Sequence, residues 1–142
     1  MSITSSNSVL LIGVNGLYTT PQQLQGFGEG DAYMMDVVNT TETRLGVDGI
    51  MSAGWIPQIK ILHVTLQADS ASNSFFEAWY LAQESAREAY FAFGTIDQSS
   101  VGKIYTLSNG VLDGYTPIAE AKKVFEPRKF SIKFNTVLGS PV

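Results

Sequence analysis

Cysteine is absent from the 142-residue chain, and histidine occurs once. Disulfide staples and thiol chemistry are therefore excluded, and a zinc centre of the usual nitrogen and sulfur donors has almost no ligands to draw on. Charge is also sparse, at 15% of residues, and its balance is acidic, giving a net charge of −4. A surface that grips nucleic acid needs a basic face to displace counterions, so this balance argues against dedicated DNA or RNA binding. It leaves open a wall that nucleic acid slides past. Long apolar runs are missing too. The stretch Val9 to Val14 is too short for a signal-peptide core and no basic run precedes it. No run approaches the length of a bilayer span. The expectation is a protein without membrane anchor or cofactor, made in a cytoplasm.

What is present is enough for a core. Hydrophobic residues make up 44% of the chain, and this length suits one domain. The strongest periodic signal runs from Ser74 to Phe93. Phe75, Trp79, Ala82, Ala86, Tyr90 and Phe93 recur at spacings of three and four, which places them on one helical face. Ser74 and Glu77 have the spacing of a capping box, and Gly94 is positioned to end the helix. The spacing predicts an amphipathic helix that buries Phe75, Trp79, Ala82, Ala86 and Tyr90 against a β-rich body.

The rest of the chain reads as strands. Val9 to Val14 leads into the turn dipeptide Asn15-Gly16, and Thr19-Thr20-Pro21 predicts a bend or an edge. A glycine-rich loop ends near Asp31, and a strand is expected over Ala32 to Val38. Gln58 to Gln67 and Lys129 to Val137 alternate apolar and polar residues with a period of two, the mark of half-buried strands. Thr95 to Ser100 is expected to be a loop, Lys103 to Leu107 a strand, and Pro117 to Lys123 a short helix or an irregular link. Between Thr40 and Trp55 lies a long hairpin signalled by Asp48-Gly49. Its flanks do not alternate cleanly, yet Leu45, Val47, Ile50, Met51 and Trp55 are apolar. Two readings stand: an ordinary surface hairpin, or one that packs with Arg44 and those apolar residues on another subunit. The fold class is α+β, mainly β: an antiparallel sandwich or barrel with one flanking helix. Residues 1–8 are expected to be a flexible arm and residues 138–142 a loose tail.

Catalytic templates fail in turn. The Gly-x-Gly-x-x-Gly turn of dinucleotide folds is incomplete around Gly13, and Gly102-Lys103 lacks the rest of a phosphate loop. His63 sits within a strand, and no Gly-x-Ser-x-Gly elbow accompanies it. Glu29, Asp31 and Asp36 form an acidic group whose spacing matches no calcium loop. Paired carboxylates for glycoside hydrolysis are a matter of spatial arrangement and stay open. The late basic residues Lys122, Lys123, Arg128, Lys129 and Lys133 are expected on a solvated surface, or facing acidic groups of a neighbour.

Taken together, the order of features is familiar. An apolar strand with Asn15-Gly16 precedes a glycine-rich loop into Asp31 and the hairpin of Thr40 to Trp55. The strand Gln58 to Gln67, one aromatic helix and Gly102-Lys103-Ile104-Tyr105 follow. The chain closes with Glu126-Pro127-Arg128-Lys129-Phe130-Ser131-Ile132-Lys133-Phe134. This pattern resembles the tail tube proteins of tailed bacteriophages, most of all those with contractile tails. The resemblance implies one tail-tube-like domain over residues 1–142. It implies hexameric rings that stack into a hollow conduit, with a sheath outside and baseplate or terminator proteins at the ends. DNA would pass through without specific binding. By the same resemblance, Glu29, Asp31 and Asp36 are candidate lumen or inter-ring carboxylates, and no catalytic residue, metal or cofactor is expected. Alternatives are another tail part, such as a terminator or baseplate hub, and a small ligand-binding sandwich using Trp55, Tyr33 or Tyr115 as a platform.

Overall fold

A computed structural model describes residues 8–27 and 32–141 of the protein. The architecture is mainly β and antiparallel, with one helix. In chain order the strands are β1 (Val9–Val14), β2 (Tyr18–Gln23), β3 (Tyr33–Met35), β4 (Thr41–Leu45), β5 (Met51–Trp55) and β6 (Lys60–Leu66). Helix α1 (Asn73–Ala86) follows, then β7 (Ala92–Gln98), β8 (Lys103–Tyr115) and β9 (Arg128–Pro141). Seven strands form one sheet in the order β2-β1-β7-β8-β9-β6-β3, and β4 and β5 form a separate ribbon.

The large sheet curls into an open sandwich and does not close into a barrel. After β2, the chain crosses the opening. The Leu24 amide donates to the Leu10 carbonyl at 2.9 Å, and the Gln67 amide donates to the Gly26 carbonyl at 2.8 Å. Phe27 bridges Leu66. Further along, the Gln98 side-chain amide donates to the Tyr33 hydroxyl at 2.8 Å, tying the end of β7 to β3. The concave face holds the core. Leu10, Ile12 and Val14 of β1, Leu62, Val64 and Leu66 of β6, and Phe130, Ile132 and Phe134 of β9 are all buried. Each set is spaced by two residues, as alternation along a half-buried strand requires. Strands β2 and β3 are the free edges, and the proline of β2, Pro21, sits on one of them, where a missing amide does least harm.

Helix α1 covers the open side of the curl. Phe76 stacks on Phe130 with ring centroids 4.2 Å apart, and Phe75 packs on Tyr18 at 4.8 Å. Trp79 is fully buried, and its indole N–H donates to the Tyr90 carbonyl at 3.1 Å. The helix is shorter than the spacing predicts. Arg87 takes a left-handed conformation and ends it at Ala86, which is exposed, while Ala82 is half-buried. Tyr90 lies beyond the helix and reaches the core through the loop, held by a bond from its amide to the Gln83 side chain. Gly94 is no helix terminator: it lies in β7, so close to β1 that a side chain there would run into the Leu11 carbonyl. Nor is there a capping box. Ser72 precedes the helix without a side-chain cap and instead accepts the Gln25 amide at 2.8 Å, while Glu77 turns to Arg128.

Other expectations change with the structure. The predicted loop at Thr95 to Ser100 is mostly β7, and the predicted tail at residues 138–142 continues β9 as far as Pro141, paired with Lys103. The strand expected over Ala32 to Val38 is confined to β3. Apart from Ser8, the expected arm lies outside the described residues.

Arg128, expected at the surface, is only 6% exposed. Its guanidinium donates to Glu77 at 2.7 Å, to the Thr116 carbonyl at 2.9 and 3.1 Å, and to the Pro117 carbonyl at 3.2 Å. It also lies over the rings of Tyr115 and Phe130. Trp79→Ala is expected to cost about 3–5 kcal/mol of stability. Arg128→Ala is expected to cost about 1.5–3 kcal/mol through its lost charge-assisted bonds. Urea unfolding followed by tryptophan fluorescence or circular dichroism checks both.

Candidate assembly surfaces

The ribbon β4–β5 stands away from the body, and every residue of both strands is exposed. Its turn is built from Val47, Asp48 and Gly49. The Gly49 amide donates to the Gly46 carbonyl at 2.9 Å, the Gly46 amide donates to the Ile50 carbonyl at 2.9 Å, and Gly49 has φ of +80°. This is the three-residue hairpin loop that needs a left-handed residue at its third position. The Asp48 carboxylate fixes the turn further by accepting the Ile50 amide at 3.1 Å.

The pairing register sorts the ribbon into two faces. Thr41 pairs with Trp55, Thr43 with Ala53, and Leu45 with Met51, so these six share one face. Glu42 with Gly54 and Arg44 with Ser52 make the other. The alternation that the sequence obscured is therefore real, because the threonines present methyl groups alongside Leu45, Met51 and Trp55. Leu45 is 76% exposed and Trp55 73%. The ribbon is inserted between β3 and β6, which pair with each other. It is thus the outward continuation of the sheet's edge. From Asp36 to Leu45 the chain can reach about 30 Å at ~3.3 Å per residue. The candidate hairpin residues Arg44, Leu45, Val47, Ile50, Met51 and Trp55 all lie on this ribbon or its turn.

Among the candidate carboxylates, Glu29 and Asp31 lie outside the described residues. Asp36 follows β3 and lies over the convex face of the sheet. There its carboxylate meets His63 Nε2 at 3.0 Å, and His63 Nδ1 meets the Ser131 hydroxyl at 3.0 Å. This row of Asp, His and Ser is invisible in the sequence because three separate strands bring it together. It has the outline of a catalytic triad but not the surroundings of one. Ser131 lies in a strand paired on both sides, with His63 and with Gly114, so its amide serves the ladder and not an oxyanion. Asp36 and His63 are both substantially open to solvent. The convex face around them is polar. Thr65 and Ser131 lie there with Thr95 and Thr106, and Lys133 pairs with Asp113 at 3.4 Å.

The link before β9 is a second, smaller protrusion. Neither expected form is right: Ala121 bridges Phe125, and the Glu126 amide donates to the Glu120 carbonyl at 2.8 Å, which makes a miniature hairpin. Ile118, Val124 and Phe125 on it are exposed. No group of three or more His, Cys, Asp or Glu side chains among the described residues is placed to hold a metal ion.

The family model described as tail fiber protein gp32 matches residues 1–138. The chain belongs to that family. No curated protein matches the sequence. Among solved structures, the fold is similar to a chain of the sheath-tube complex of an extracellular contractile injection system. The TM-score is 0.62 at 10% identity, over 94% of this chain and 88% of that one. It is similar as well to a chain of the sheath/tube terminator of such a system, with a TM-score of 0.66 at 10% identity over 99% and 97%. A chain of the anti-feeding prophage tube terminating cap gives 0.60 at 10% identity, over 100% and 93%. The resemblance to tail tube proteins drawn from the order of features therefore holds for the fold, and the gp32 family places the chain among tail proteins.

The ribbon's exposure has a direct consequence for stability. Replacing Trp55 or Leu45 by Ser is expected to leave the unfolding free energy within about 0.5 kcal/mol of the parent. A urea midpoint that moves well beyond this would mean that the ribbon packs on its own domain.

Proposed function

We propose that this protein is a non-catalytic structural subunit of a phage-type tail tube, forming hexameric rings that stack into a conduit for DNA. The observation that carries the reading is the ribbon β4–β5, with its apolar face in solvent and beyond reach of its own core. An isolated two-stranded ribbon is marginal by itself in water, and a large exposed apolar patch marks an interaction site. A neighbouring copy is the partner that this reading supplies. The free edges β2 and β3 fit the same picture, since joining sheets around a ring removes edges that otherwise invite uncontrolled pairing.

In this reading the convex face lines the channel and α1 lies away from it. The convex face offers hydroxyl groups and charges that are largely paired, with no basic stripe to hold phosphates. Asp36 is placed on that face, and its carboxylate is shared with His63, so channel polarity rests on more than bare negative charge. A sheath outside the tube and baseplate or terminator proteins at its ends are the partners that the reading requires, within a virion tail. It is supported by the fold shared with sheath-tube components and by membership of a tail-protein family.

A terminator role is the second reading, favoured by the fuller overlap with the sheath/tube terminator chain. The two differ in what the purified protein builds. A tube subunit forms rings with a central hole and stacks them into long tubes, whereas a terminator stops at one ring or a short stack. Negative-stain electron microscopy separates them, and a monomer that forms no ring under any condition would sink both. Deleting residues 45–52 is expected to leave a folded domain that no longer stacks; tubes of normal length from that variant would remove the ribbon from the interface.

A further inference from the structure

The unburied apolar groups of the chain lie at opposite ends of one strand pair. The ribbon β4–β5 joins β6 at its Lys60 end. At the other end, Leu66 pairs with Arg128, and the residues just before Arg128 form the small hairpin. The ends are about 20 Å apart at ~3.3 Å per residue. Beside the small hairpin is a cleft of about 450 Å³, with Phe125 and Pro127 on one side and Gln67, Ala68 and Asp69 on the other. Ile118, Val124 and Phe125 are left in solvent around it.

Building on the ring-and-stack reading above, we propose that this cleft and small hairpin receive the apolar face of β4–β5 from a second copy of the chain, arranged head to tail. Donor and receiver sit at opposite ends of one molecule, so a copy does not satisfy both within itself. Each contact leaves a fresh donor and a fresh receiver, the condition for open stacking and not for a closed two-fold pair. The chemistry matches as well, because Leu45, Met51 and Trp55 would cover Val124 and Phe125. The charges are complementary. In the ribbon, Glu42 and Arg44 pair at 3.7 Å, which leaves Asp48 at the tip with no cationic partner among the described residues. In the small hairpin, Lys122 pairs with Glu126 at 3.9 Å, which leaves Lys123 with no anionic partner among them. An unpaired carboxylate at one end thus answers an unpaired ammonium at the other.

The absence of native cysteine makes a crosslinking test clean. The full-length Val47→Cys, Val124→Cys double variant is assembled, mildly oxidised and run on a non-reducing gel, with electron microscopy of the same sample. A ladder of covalent oligomers beyond the dimer is expected, and neither single variant should exceed the dimer. A covalent dimer alone would indicate a two-fold contact and overturn the proposal. Visible stacks without a ladder would also overturn it while leaving the tube reading intact, since the ribbon would then be seated elsewhere, such as the apolar hollow beneath β3. If no rings or stacks form, both readings fall. In a second arm, Lys123→Glu and Asp48→Lys should each raise the concentration needed for stacking about two- to fivefold, the worth of one exposed ion pair. The combined variant should restore it. A combined variant that stacks no better than the single ones would count against the pairing.

Discussion

The buried guanidinium of Arg128 fixes the end of the molecule where helix, sheet and link meet. Burying an arginine carries a large desolvation cost, and one carboxylate seldom offsets it. Here Glu77 is half open to solvent, so its ion pair alone is worth little. The offset comes from geometry. A planar fork of donors meets the carbonyls of Thr116 and Pro117 together with Glu77, while its faces rest on Tyr115 and Phe130. Lysine, with a single nitrogen, has no equivalent. Three separate segments are thereby held in register: α1 through Glu77, the end of β8 through Tyr115, and the link through Thr116 and Pro117. The stacking of Tyr80 on Tyr115 and of Phe76 on Phe130 is organised around the same charge. The small hairpin of residues 120–126 grows from this anchored link, so a surface loop is given a defined root.

The other end of the molecule is organised by insertion. A hairpin placed between two paired strands extends the sheet without disturbing it, because β3 and β6 close the base by their own pairing. Asp36 reinforces that base, since its side chain reaches His63 and, through it, Ser131 of β9. The Asp36 amide also donates to the Ile61 carbonyl at 3.2 Å. The row of Asp, His and Ser is thus best understood as a brace between the ribbon's root and the sheet. This explains why a polar chain of three side chains sits on an open face with no pocket suited to chemistry around it.

How much of this was legible depended on whether neighbours in sequence were also neighbours in space. Strands β6 and β9 announced themselves because Leu62, Val64, Leu66 and Phe130, Ile132, Phe134 alternate with polar residues. The hairpin turn was legible from Asp48-Gly49, since a left-handed position narrows the choice of residue. Strand β7 was hidden by Ala92 and Gly94, which look like the frayed end of a helix and are small because β1 passes close by. The helix was overextended for the same reason. Tyr90 keeps the helical spacing while reaching the core by another route. The two faces of the ribbon were obscured by Thr41 and Thr43, which count as polar in a pattern yet share the face of Trp55 and Ala53. Arg128 and the His63 row were out of reach, because their partners are set by strand order and not by spacing.

Folding and assembly are separated in this chain by where its aromatic residues lie. Phe75, Phe76, Trp79 and Phe130 are inside, and they stack or meet edge to face around the helix. Trp55 and Phe125 are outside, at opposite ends. If the outer pair belonged to the core, losing a neighbour would cost the monomer its fold, and subunits awaiting assembly would be prone to aggregate. With the core complete without them, a subunit can fold first and commit its exposed groups afterwards. The exposed apolar area is then a hazard only until a neighbour covers it. The devices that limit that hazard are visible: a proline on β2, a three-residue β3, and Glu42 and Arg44 on the ribbon's second face. They discourage indiscriminate pairing of edges while leaving one apolar face free, so that the contact open to a correctly oriented neighbour is favoured over the others.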